Sequence, residues 1–481
     1  MHNLTTKEIL KIYNSLSRKK EVFMPIITDH VGIYLCGVTV YKEIHIGNCR
    51  TFISLDIIVR YFRYIGYKVR YIRNITDVGH LENEYNDRYD KITKKALIEC
   101  IEPMELAQKY TYDFHNLLYK FNVLSPNIEP IASGHIIEQI EIIRKLIKKG
   151  FAYEIDGSVY FDMYKYRFIY KYGILSRNRF EKTLLLKNRR QKRNHLDFAL
   201  WKRAVDGHIM HWVSPWGKGF PGWHLECTTM STKYLGDVFD IHSGGIDLKF
   251  PHHECDIAQS IALHGKMPGH FWLHINMLTI DGKKMSKSIG NTISPCHILT
   301  KYSSNVIRFF VLQTHYRGNL SFSNKALTSA EKGYNRIIDS FIFLEKLFTR
   351  NKKMSLSTLD IINWRQKCYH AMNDDFNSPR LIAHLFEAMH WIYRLLEEEE
   401  FLTNSDLKLL EVTMKNFFSE VLGLTINFNK DTSKIEELLK IILEIRSKAR
   451  KEKNWVLSDK IRKKLFLLGY ILHDTENETK I

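Results

Sequence analysis

The chain has 481 residues, too many for one ordinary domain, and hydrophobic residues make up 44% of it, enough for two to four cores. This content, with 26% charged residues, excludes a disordered chain. Lysine and arginine outnumber the acids by 71 to 53, giving a formal net charge of +18. That excess favours a polyanionic partner such as nucleic acid over a lysine-rich bias that serves only solubility.

The seven cysteines are scattered and form no CxxC pair, which argues against a disulfide framework and for a reducing compartment. Residues 1–20 are polar and lack the apolar core of a signal peptide. No apolar run approaches the length of a membrane span. We therefore expect a cytoplasmic, monomeric protein with no membrane segment.

Residues 32–73 have the pattern of a βαβ unit. Residues 32–37 form a short apolar run that ends at glycine, and residues 68–73 form a second strand-like run. Between them a helix is predicted from Gly47 to Gly66, since apolar residues recur at spacings of three and four: Phe52, Leu55, Val59 and Phe62. The unit predicts an α/β fold with a Rossmann-like nucleotide-binding domain, with ligands at the carboxyl ends of its strands.

Five segments are predicted along the chain. Residues 1–112 and 195–318 form the two halves of the catalytic domain, and the sheet is expected to resume near Asp197. Residues 113–194 form an inserted α+β subdomain, with a helix over 136–149, a hairpin over 153–164 and a basic run over 187–193. Residues 319–432 form a helical bundle. Residues 433–481 form a small basic C-terminal domain that ends in a strand over 469–472.

Two segments indicate phosphate chemistry. The first, residues 45–48 (His-Ile-Gly-Asn), lies where the helix of the βαβ unit begins, and the second, residues 284–288 (Lys-Met-Ser-Lys-Ser), lies between glycines. A helix N-terminus and mobile lysines can disperse charge when the α–β phosphate bond of ATP breaks. The first alone would be an ordinary turn and the second a solvated charged loop, but together they favour catalytic roles for four residues: His45, Asn48, Lys284 and Lys287.

Four residues have side chains suited to zinc. Cys36 ends the first strand, Cys227 follows a glycine-rich turn, and His252 and Asp256 are spaced to share one face of a helix. Each has a simpler interpretation, since a lone cysteine is most often a small buried hydrophobe and the histidine run a polar helix start. Their shared position at strand ends of a nucleotide-binding fold favours a metal site.

These motifs resemble two signatures of class I aminoacyl-tRNA synthetases, although Asn48 stands where that class has a second histidine. The chain as a whole resembles the cysteinyl-tRNA synthetases. The similar segments run almost from end to end, at residues 12–16, 35–41, 73–77, 222–227, 240–248 and 250–254. The resemblance implies a ligase that activates L-cysteine with ATP and Mg²⁺ to cysteinyl-adenylate and transfers the cysteinyl group to the 3′ end of tRNA(Cys).

The resemblance also implies one Zn²⁺ per chain that selects the substrate thiolate. In the family two cysteines, a histidine and a glutamate hold it, and these correspond here to Cys36, Cys227, His252 and Asp256. Aspartate is one methylene shorter than glutamate. Asp256 could reach the ion after a small shift, Glu254 or Cys255 could replace it, or three ligands could suffice.

Further roles come from the same resemblance. ATP-binding positions are His45, Gly47, Asn48, Gly245, Asp247 and Lys287. Asp247 suits either the adenosine ribose or the ammonium group of the substrate. The substrate pocket is expected to include Thr76, Trp223 and His242, although a tryptophan is more often plain core. The anticodon is expected to contact Arg450, Trp455, Asp459 and Asp474. For Trp455, stacking on a base and anchoring a core are equally compatible with the sequence.

Two alternative functions stay open. Cysteine ligases of thiol-cofactor synthesis share the core and the zinc site but need no anticodon module, so residues 433–481 and the +18 charge argue against them. A catalytically decayed RNA-binding paralogue would explain Asn48 and Asp256, but not the intact segment 284–288.

Overall fold

The computed structural model describes residues 9–81, 89–176, 192–280, 283–285, 292–350, 356–426 and 432–467, with strand residues 473–474 and 479–480. The chain forms two compact units, residues 1–425 and residues 426–481. Across the described ranges, no helix combines the length and apolar character that a membrane span requires.

The first unit begins with an antiparallel hairpin, β1 (Lys11–Asn14) and β2 (Lys19–Val22). The predicted βαβ unit follows as β3 (His30–Thr39), α1 (Ile46–Tyr64) and β4 (Lys68–Thr76), with β3 and β4 paired in parallel. The apolar residues predicted to share one helical face are all buried: Phe52, Leu55, Val59 and Phe62. The prediction of strand, helix and strand is confirmed.

The next segment opens with three helices, α2 (Lys91–Glu99), α3 (Pro103–Lys120) and α4 (Ile136–Lys148). The predicted hairpin follows as β5 (Ala152–Ile155) and β6 (Ser158–Phe161), and α5 (Met163–Ile169) comes after it. Three more strands complete this region: β7 (Phe198–Arg203), β8 (Trp212–Ser214) and β9 (Gly217–Pro221).

Strands β5 to β9 form one antiparallel sheet in the order β5-β6-β7-β9-β8. The expectation that the nucleotide-binding sheet resumes near Asp197 is therefore wrong. The strand patterns there are real, but they pair with the inserted hairpin, and the position proposed as a boundary, residue 194, lies within this sheet. A local apolar pattern predicts a strand without indicating which neighbour it joins.

The central sheet resumes after α6 (Trp223–Leu235), with β10 (Phe239–Gly245), a 3₁₀ turn (Ile246–Lys249), α7 (His252–His264) and β11 (Gly269–Ile275). Its order is β11-β10-β3-β4, and every pair is parallel. The carboxyl ends of β3, β4 and β10 therefore share one edge, where ligands bind in such sheets.

A small sheet of order β13-β12-β14 follows, formed by β12 (Leu278–Ile280), β13 (Lys283–Lys284) and β14 (Leu320–Phe322). Helices α8 (Pro295–Leu299) and α9 (Ser304–Leu312) lie between β13 and β14. The rest of the unit is helical, as predicted: α10 (Asn324–Arg350), α11 (Ile361–Asn373), α12 (Ser378–Leu396), α13 (Asn404–Lys415) and a π-helical turn (Asn416–Val421).

The C-terminal unit contains two helices, α14 (Thr432–Lys451) and α15 (Trp455–Leu467). Two short strands, β15 (His473–Asp474) and β16 (Thr479–Lys480), pair antiparallel. The strand predicted over residues 469–472 lies outside the described residues.

Two buried arginines hold α1 in place. Arg50 donates to the carbonyls of Met277 and Gly318, which precede the parallel strands β12 and β14 of the small sheet. Arg308 of α9 forms a buried ion pair with Asp56, and its Nε donates to the carbonyl of Leu422 at 2.7 Å. Because removing one partner of a buried charge pair is strongly destabilising, these contacts fix α1 against the rest of the unit.

Candidate active site and metal group

A cavity of about 270 Å³ opens at the carboxyl edge of the central sheet. It brings together nine of the residues predicted from the sequence, from the metal, ATP and substrate sets, which are Cys36, His45, Asn48, Thr76, Trp223, Cys227, Gly245, Asp247 and His252. They come from strands β3, β4 and β10, from the 3₁₀ turn after β10, and from the N-cap or first turns of α1, α6 and α7. One cavity therefore contains the residues expected to handle a thiol and those expected to handle a phosphate.

The four predicted metal ligands meet beside one end of this cavity, which Cys36, Cys227 and His252 line and Asp256 does not. Their ligand atoms all lie within 4.8 Å of one another, and all four residues are buried. The Sγ atoms of Cys36 and Cys227 are 3.4 Å apart, and His252 Nε2 is 3.2 Å from Cys227 Sγ. Asp256 Oδ2 lies 3.6 Å from His252 Nε2. Donor atoms at about 2.0–2.3 Å from a tetrahedral ion are about 3.3–3.8 Å apart, so the group fits a small metal ion.

The polar atoms of this group are poorly satisfied by protein contacts alone. Asp256 Oδ1 accepts from Thr228 at 3.2 Å, whereas Oδ2 has no hydrogen-bond partner among the described residues. Burial raises the pKa of the Cys36 thiol and of the Asp256 carboxyl well above their usual ranges. A bound cation would favour the ionised forms of the Cys36 and Cys227 thiols and of the Asp256 carboxyl. It would also supply the partner that Asp256 Oδ2 lacks.

The two alternative ligands, Glu254 and Cys255, contact other parts of the protein and not the metal group. The Glu254 carboxylate accepts from the backbone N–H groups of Gly173, Leu175 and Ser176, with Leu175 at 2.7 Å. Cys255 packs in the hydrophobic core of the insertion. Helical spacing excludes Glu254, because a residue two positions after His252 points away from it, whereas Asp256 lies four positions on and shares its face. Cys255, three positions on, is excluded by its contacts with the hydrophobic core. The geometry thus places Asp256 in the group and leaves Glu254 and Cys255 outside it.

At the other end of the cavity, His45 and Asn48 form a reciprocal cap on α1. The backbone N–H of Asn48 donates to His45 Nδ1 at 3.3 Å, and the backbone N–H of His45 donates to Asn48 Oδ1 at 3.2 Å. Since Nδ1 accepts, the imidazole is neutral with its proton on Nε2, and burial lowers its pKa. The cap leaves the Nε2–H of His45 and the amide NH₂ of Asn48 as donors for a ligand.

The two phosphate motifs meet at Gly47. A Cβ at this position would lie 2.9 Å from His45 Nδ1 and 4.0 Å from the sulfur of Met285, which is buried. Lys284 pairs with Thr279 through β13, which fixes its backbone. Lys287 lies outside the described residues. The structure therefore brings the described part of the second motif against the first.

The glycine at the end of β10 permits the close approach of Asp247. A Cβ on Gly245 would lie 2.4 Å from Asp247 Oδ1, so no larger residue fits without a shift. The Asp247 carboxylate is near enough to His45 to oppose the lowering of the imidazole pKa by burial. Asp247 and His45 thus face the same part of the cavity, as the sequence predicted.

Thr76 and Trp223 line the substrate end. Thr76 donates to Glu226 Oε2 at 2.7 Å and accepts from the Asn74 amide at 3.2 Å. Trp223 lies between two histidines, with its ring centroid 4.0 Å from that of His80 and 4.5 Å from that of His252. It is thus a wall of the cavity next to the metal group and not plain core.

His242 is placed differently from the other substrate residues. It is buried, stacks on Trp272 with ring centroids 4.3 Å apart, and lies with Nε2 3.6 Å from Asp256 Oδ2. It is not among the side chains that line the cavity. The geometry favours a supporting position behind Asp256 over direct contact with a substrate.

Sequence reasoning missed four residues of this region. Glu226 anchors Thr76, Arg50 anchors the helix that carries Asn48, and His80 and Lys91 line the cavity beside Trp223. Glu226 could have been noticed, because it directly precedes Cys227 in a segment already singled out. For His80 and Lys91 the sequence gives no signal, since neither residue belongs to a recognisable motif.

In the C-terminal unit, Trp455 begins α15 with 55% of its surface exposed, which favours a stacking role over a core anchor. Asp459 is exposed and Arg450 is partly exposed, and both are helical. Asp474 lies in β15, and its side chain is outside the described set. The first three residues stay candidates for contact with a nucleic acid.

Two family signatures match the chain. The family described as tRNA synthetases class I (C) catalytic domain matches residues 22–332, and the DALR domain matches residues 367–427. Among solved structures, the methionyl-tRNA synthetase of Mycobacterium tuberculosis in complex with methionyl-adenylate shares the fold, with a TM-score of 0.56 and 14% identity over 82% of this chain and 89% of that one. With the parallel sheet and the cavity at its edge, these matches define a class I aminoacyl-tRNA synthetase fold and confirm the predicted fold class.

Similarity to curated relatives identifies the family within this class. The chain is 47% identical to the cysteine–tRNA ligase of Porphyromonas gingivalis and 48% identical to that of Bacteroides fragilis, in each case over 97% of this chain and 98% of the relative. The protein belongs to the cysteinyl-tRNA synthetase family, and the resemblance inferred from its sequence is confirmed.

The fourth metal ligand can be tested by metal content. We expect Asp256→Asn to lower zinc affinity at least about tenfold, because an amide replaces a charged ligand. Cys255→Ala is the matched control, and we expect it to keep the wild-type metal content. Both proteins would be titrated against a chelator of known affinity. Full retention of zinc by Asp256→Asn would exclude Asp256 as a ligand.

Proposed function

We propose that the protein activates L-cysteine with ATP and transfers the cysteinyl group to the 3′-terminal ribose of tRNA(Cys). The observation that carries this proposal is the single cavity that has a Cys/His/Asp group beside one end and the α1 cap at the other. A cysteine with its thiol at the metal group would direct its carboxylate towards a phosphate at the cap. Family membership and the identity to cysteine–tRNA ligases support the same reaction.

In the first step, a carboxylate oxygen of cysteine attacks the α-phosphorus of ATP, and the bond to the β-phosphate oxygen breaks to release pyrophosphate. His45 and Asn48 present N–H donors at the start of α1, where the helix dipole also favours negative charge. Lys284 and Lys287 would neutralise the departing pyrophosphate, with Mg²⁺ bound to it. Gly245 and Asp247 would hold the adenosine ribose. Catalysis of this kind rests on positioning and charge stabilisation.

Asparagine at position 48 suits this role. Its oxygen is used by the cap, so the end left for a ligand is its NH₂ group, and a donor is what an anionic phosphate needs. The departure from the class signature therefore keeps the hydrogen-bonding function while removing the possibility of a second charge. This favours a working enzyme over a decayed paralogue.

Cys36, Cys227, His252 and Asp256 would hold one zinc ion. The chemistry that zinc supplies there is preference for a thiolate, which separates cysteine from serine without an editing site. The protein's own contribution is to place the rest of the amino acid. Thr76, fixed by Glu226 and Asn74, can hydrogen-bond it, and Trp223 closes the side of the cavity.

In the second step, a hydroxyl of the terminal ribose attacks the carbonyl carbon of the adenylate, and AMP leaves. The C-terminal unit would contact the anticodon through Arg450, Trp455, Asp459 and Asp474. A cysteine ligase of thiol-cofactor synthesis would need no such unit. The exposed indole of Trp455 therefore favours the tRNA ligase.

The reaction can be tested by ATP–pyrophosphate exchange. We expect exchange with cysteine and, at equal concentration, a rate at least about 10⁴-fold lower with serine, because the buried ligand group rejects a hydroxyl. Methionine is a second control. A folded, zinc-loaded protein that fails to exchange with cysteine would refute the proposal, and transfer to an amino-sugar in place of tRNA would support the cofactor ligase.

The role of Asn48 can be isolated with Asn48→Asp. Aspartate at this third helical position still accepts from the His45 N–H, and a negative charge in the first turn suits the helix dipole, so we expect the melting temperature to stay unchanged. The donor becomes an anion, and we expect exchange to fall about 10²-fold or more. Asn48→His restores the residue of the class signature. A large gain in exchange with that variant would indicate the decayed paralogue.

The C-terminal unit can be tested with Trp455→Ala. Loss of one stacked base costs about 1–3 kcal/mol, so we expect kcat/KM for tRNA(Cys) to fall about 5- to 150-fold while exchange stays unchanged. Val456→Ala, at an exposed neighbouring position, is the matched control. Equal tRNA charging by wild type and Trp455→Ala would remove Trp455 from the interface.

A further inference from the structure

We propose that His80 is a positioning residue for the amino-acid substrate, held by Lys91 in one tautomer so that it fixes the Trp223 ring and aims the Thr39 hydroxyl into the cavity. This inference rests on the proposed function and adds a specificity element to it. All four side chains line the cavity.

The first observation is a parallel stack. The rings of His80 and Trp223 have centroids 4.0 Å apart and an interplanar angle of 7°. On the other side of the indole, the centroid of the metal-group residue His252 lies 4.5 Å away at 32°. Trp223 is therefore held between His80 and the metal group. A shift of the His80 ring would free the indole to move where a substrate thiol would bind.

The second observation is a directed chain of hydrogen bonds. Lys91 Nζ lies 2.9 Å from His80 Nε2, and Thr39 Oγ1 lies 2.7 Å from His80 Nδ1. An ammonium group can only donate, so Nε2 must accept, and the proton of the neutral ring must be on Nδ1. Nδ1–H then donates to Thr39 Oγ1. The Thr39 hydroxyl must direct its own proton elsewhere, and the cavity that it lines is the place where a substrate oxygen would accept it.

The third observation is that backbone hydrogen bonds fix His80 and Lys91 relative to each other. Lys91 N–H donates to the carbonyl of His80 at 3.0 Å, and Gly79 N–H donates to Asp90 Oδ2 at 3.2 Å. Asp90 Oδ1 also accepts from Thr93 N–H at 2.7 Å and so caps α2. These hydrogen bonds hold residues 79–80 against residues 90–91. His80 and Lys91 keep their mutual position through main-chain contacts as well as through their side chains.

The backbone conformation of Gly79 places His80 against Trp223. Its φ is +80°, and a Cβ there would lie 2.3 Å from the carbonyl oxygen of Pro221, two residues before the tryptophan. The backbone around Gly79 thus touches the turn that leads into α6. This contact places the His80 ring directly over the indole, and no larger residue would permit it.

The test uses full-length, zinc-loaded protein in cysteine-dependent ATP–pyrophosphate exchange. His80→Phe keeps an aromatic ring over Trp223 and removes both hydrogen bonds. Lys91→Met keeps the chain length and removes the donor that sets the tautomer. We expect each to raise the KM for cysteine about tenfold, the effect of one lost hydrogen bond in a positioned site, with kcat and the KM for ATP within about twofold of wild type.

The double variant, with both His80→Phe and Lys91→Met, distinguishes a positioning role from a general structural effect. If Lys91 acts through His80, the double variant has the same KM for cysteine as His80→Phe alone. Lys91→Arg restores a donor and returns the KM to within about threefold of wild type. Lys95→Met is the matched control on α2, because Lys95 pairs with Glu99 at 2.9 Å and does not line the cavity. Its KM for cysteine stays at the wild-type value.

Three results would overturn the inference. The first is an unchanged KM for cysteine in His80→Phe. The second is a double variant whose KM for cysteine rises by the product of the increases in the two single variants. The third is equal change in the KM for ATP, kcat and the melting temperature. Should His80→Phe fail to fold, the pair Lys91→Met and Lys91→Arg decides alone. Wild-type exchange with cysteine is measured first, so a failure of the proposed function is seen separately.

Discussion

The site depends on the burial of two thiols and a carboxylate within one small volume. Cys36, Cys227 and Asp256 come from three separate elements, and burial raises the pKa of each. Ionising all three would be very costly without a cation, and leaving them neutral leaves Asp256 Oδ2 without a partner. The arrangement makes sense as a metal site, and one of its elements, α6, also carries Trp223.

The phosphate end is built on a different principle. There the chain uses backbone geometry and neutral donors, because the ligand brings the charge. The reciprocal cap between His45 and Asn48 decides which atoms face the cavity, and Arg50, which donates to the Met277 carbonyl, ties the same helix to the segment that leads towards Lys284. One helix therefore orients the donors and connects them to the loop expected to close over ATP.

Much of this could be predicted from the sequence, for identifiable reasons. The helix α1 and its flanking strands follow from local periodicity, whereas the metal group follows from the shared position of its four residues at strand ends and from the family resemblance, because each residue alone has a simpler interpretation. The choice of Asp256 over Glu254 also follows from helical spacing, although the sequence analysis left it open. The pairing of β7 with β6 joins distant parts of the sequence, and the meeting of His80 with Lys91 depends on the tertiary path of the chain. Local patterns contain no information about either.

The junction between β9 and α6 has a mechanical consequence. The last strand of the antiparallel sheet ends at Pro221, and α6 begins at Trp223 with the cavity wall and continues one turn to Cys227. The contact of Pro221 with Gly79 ties the same junction to the segment that follows β4. A cysteine of the metal group therefore lies only six positions after the end of the inserted sheet, so a change in the position of that sheet would bear directly on the cavity wall.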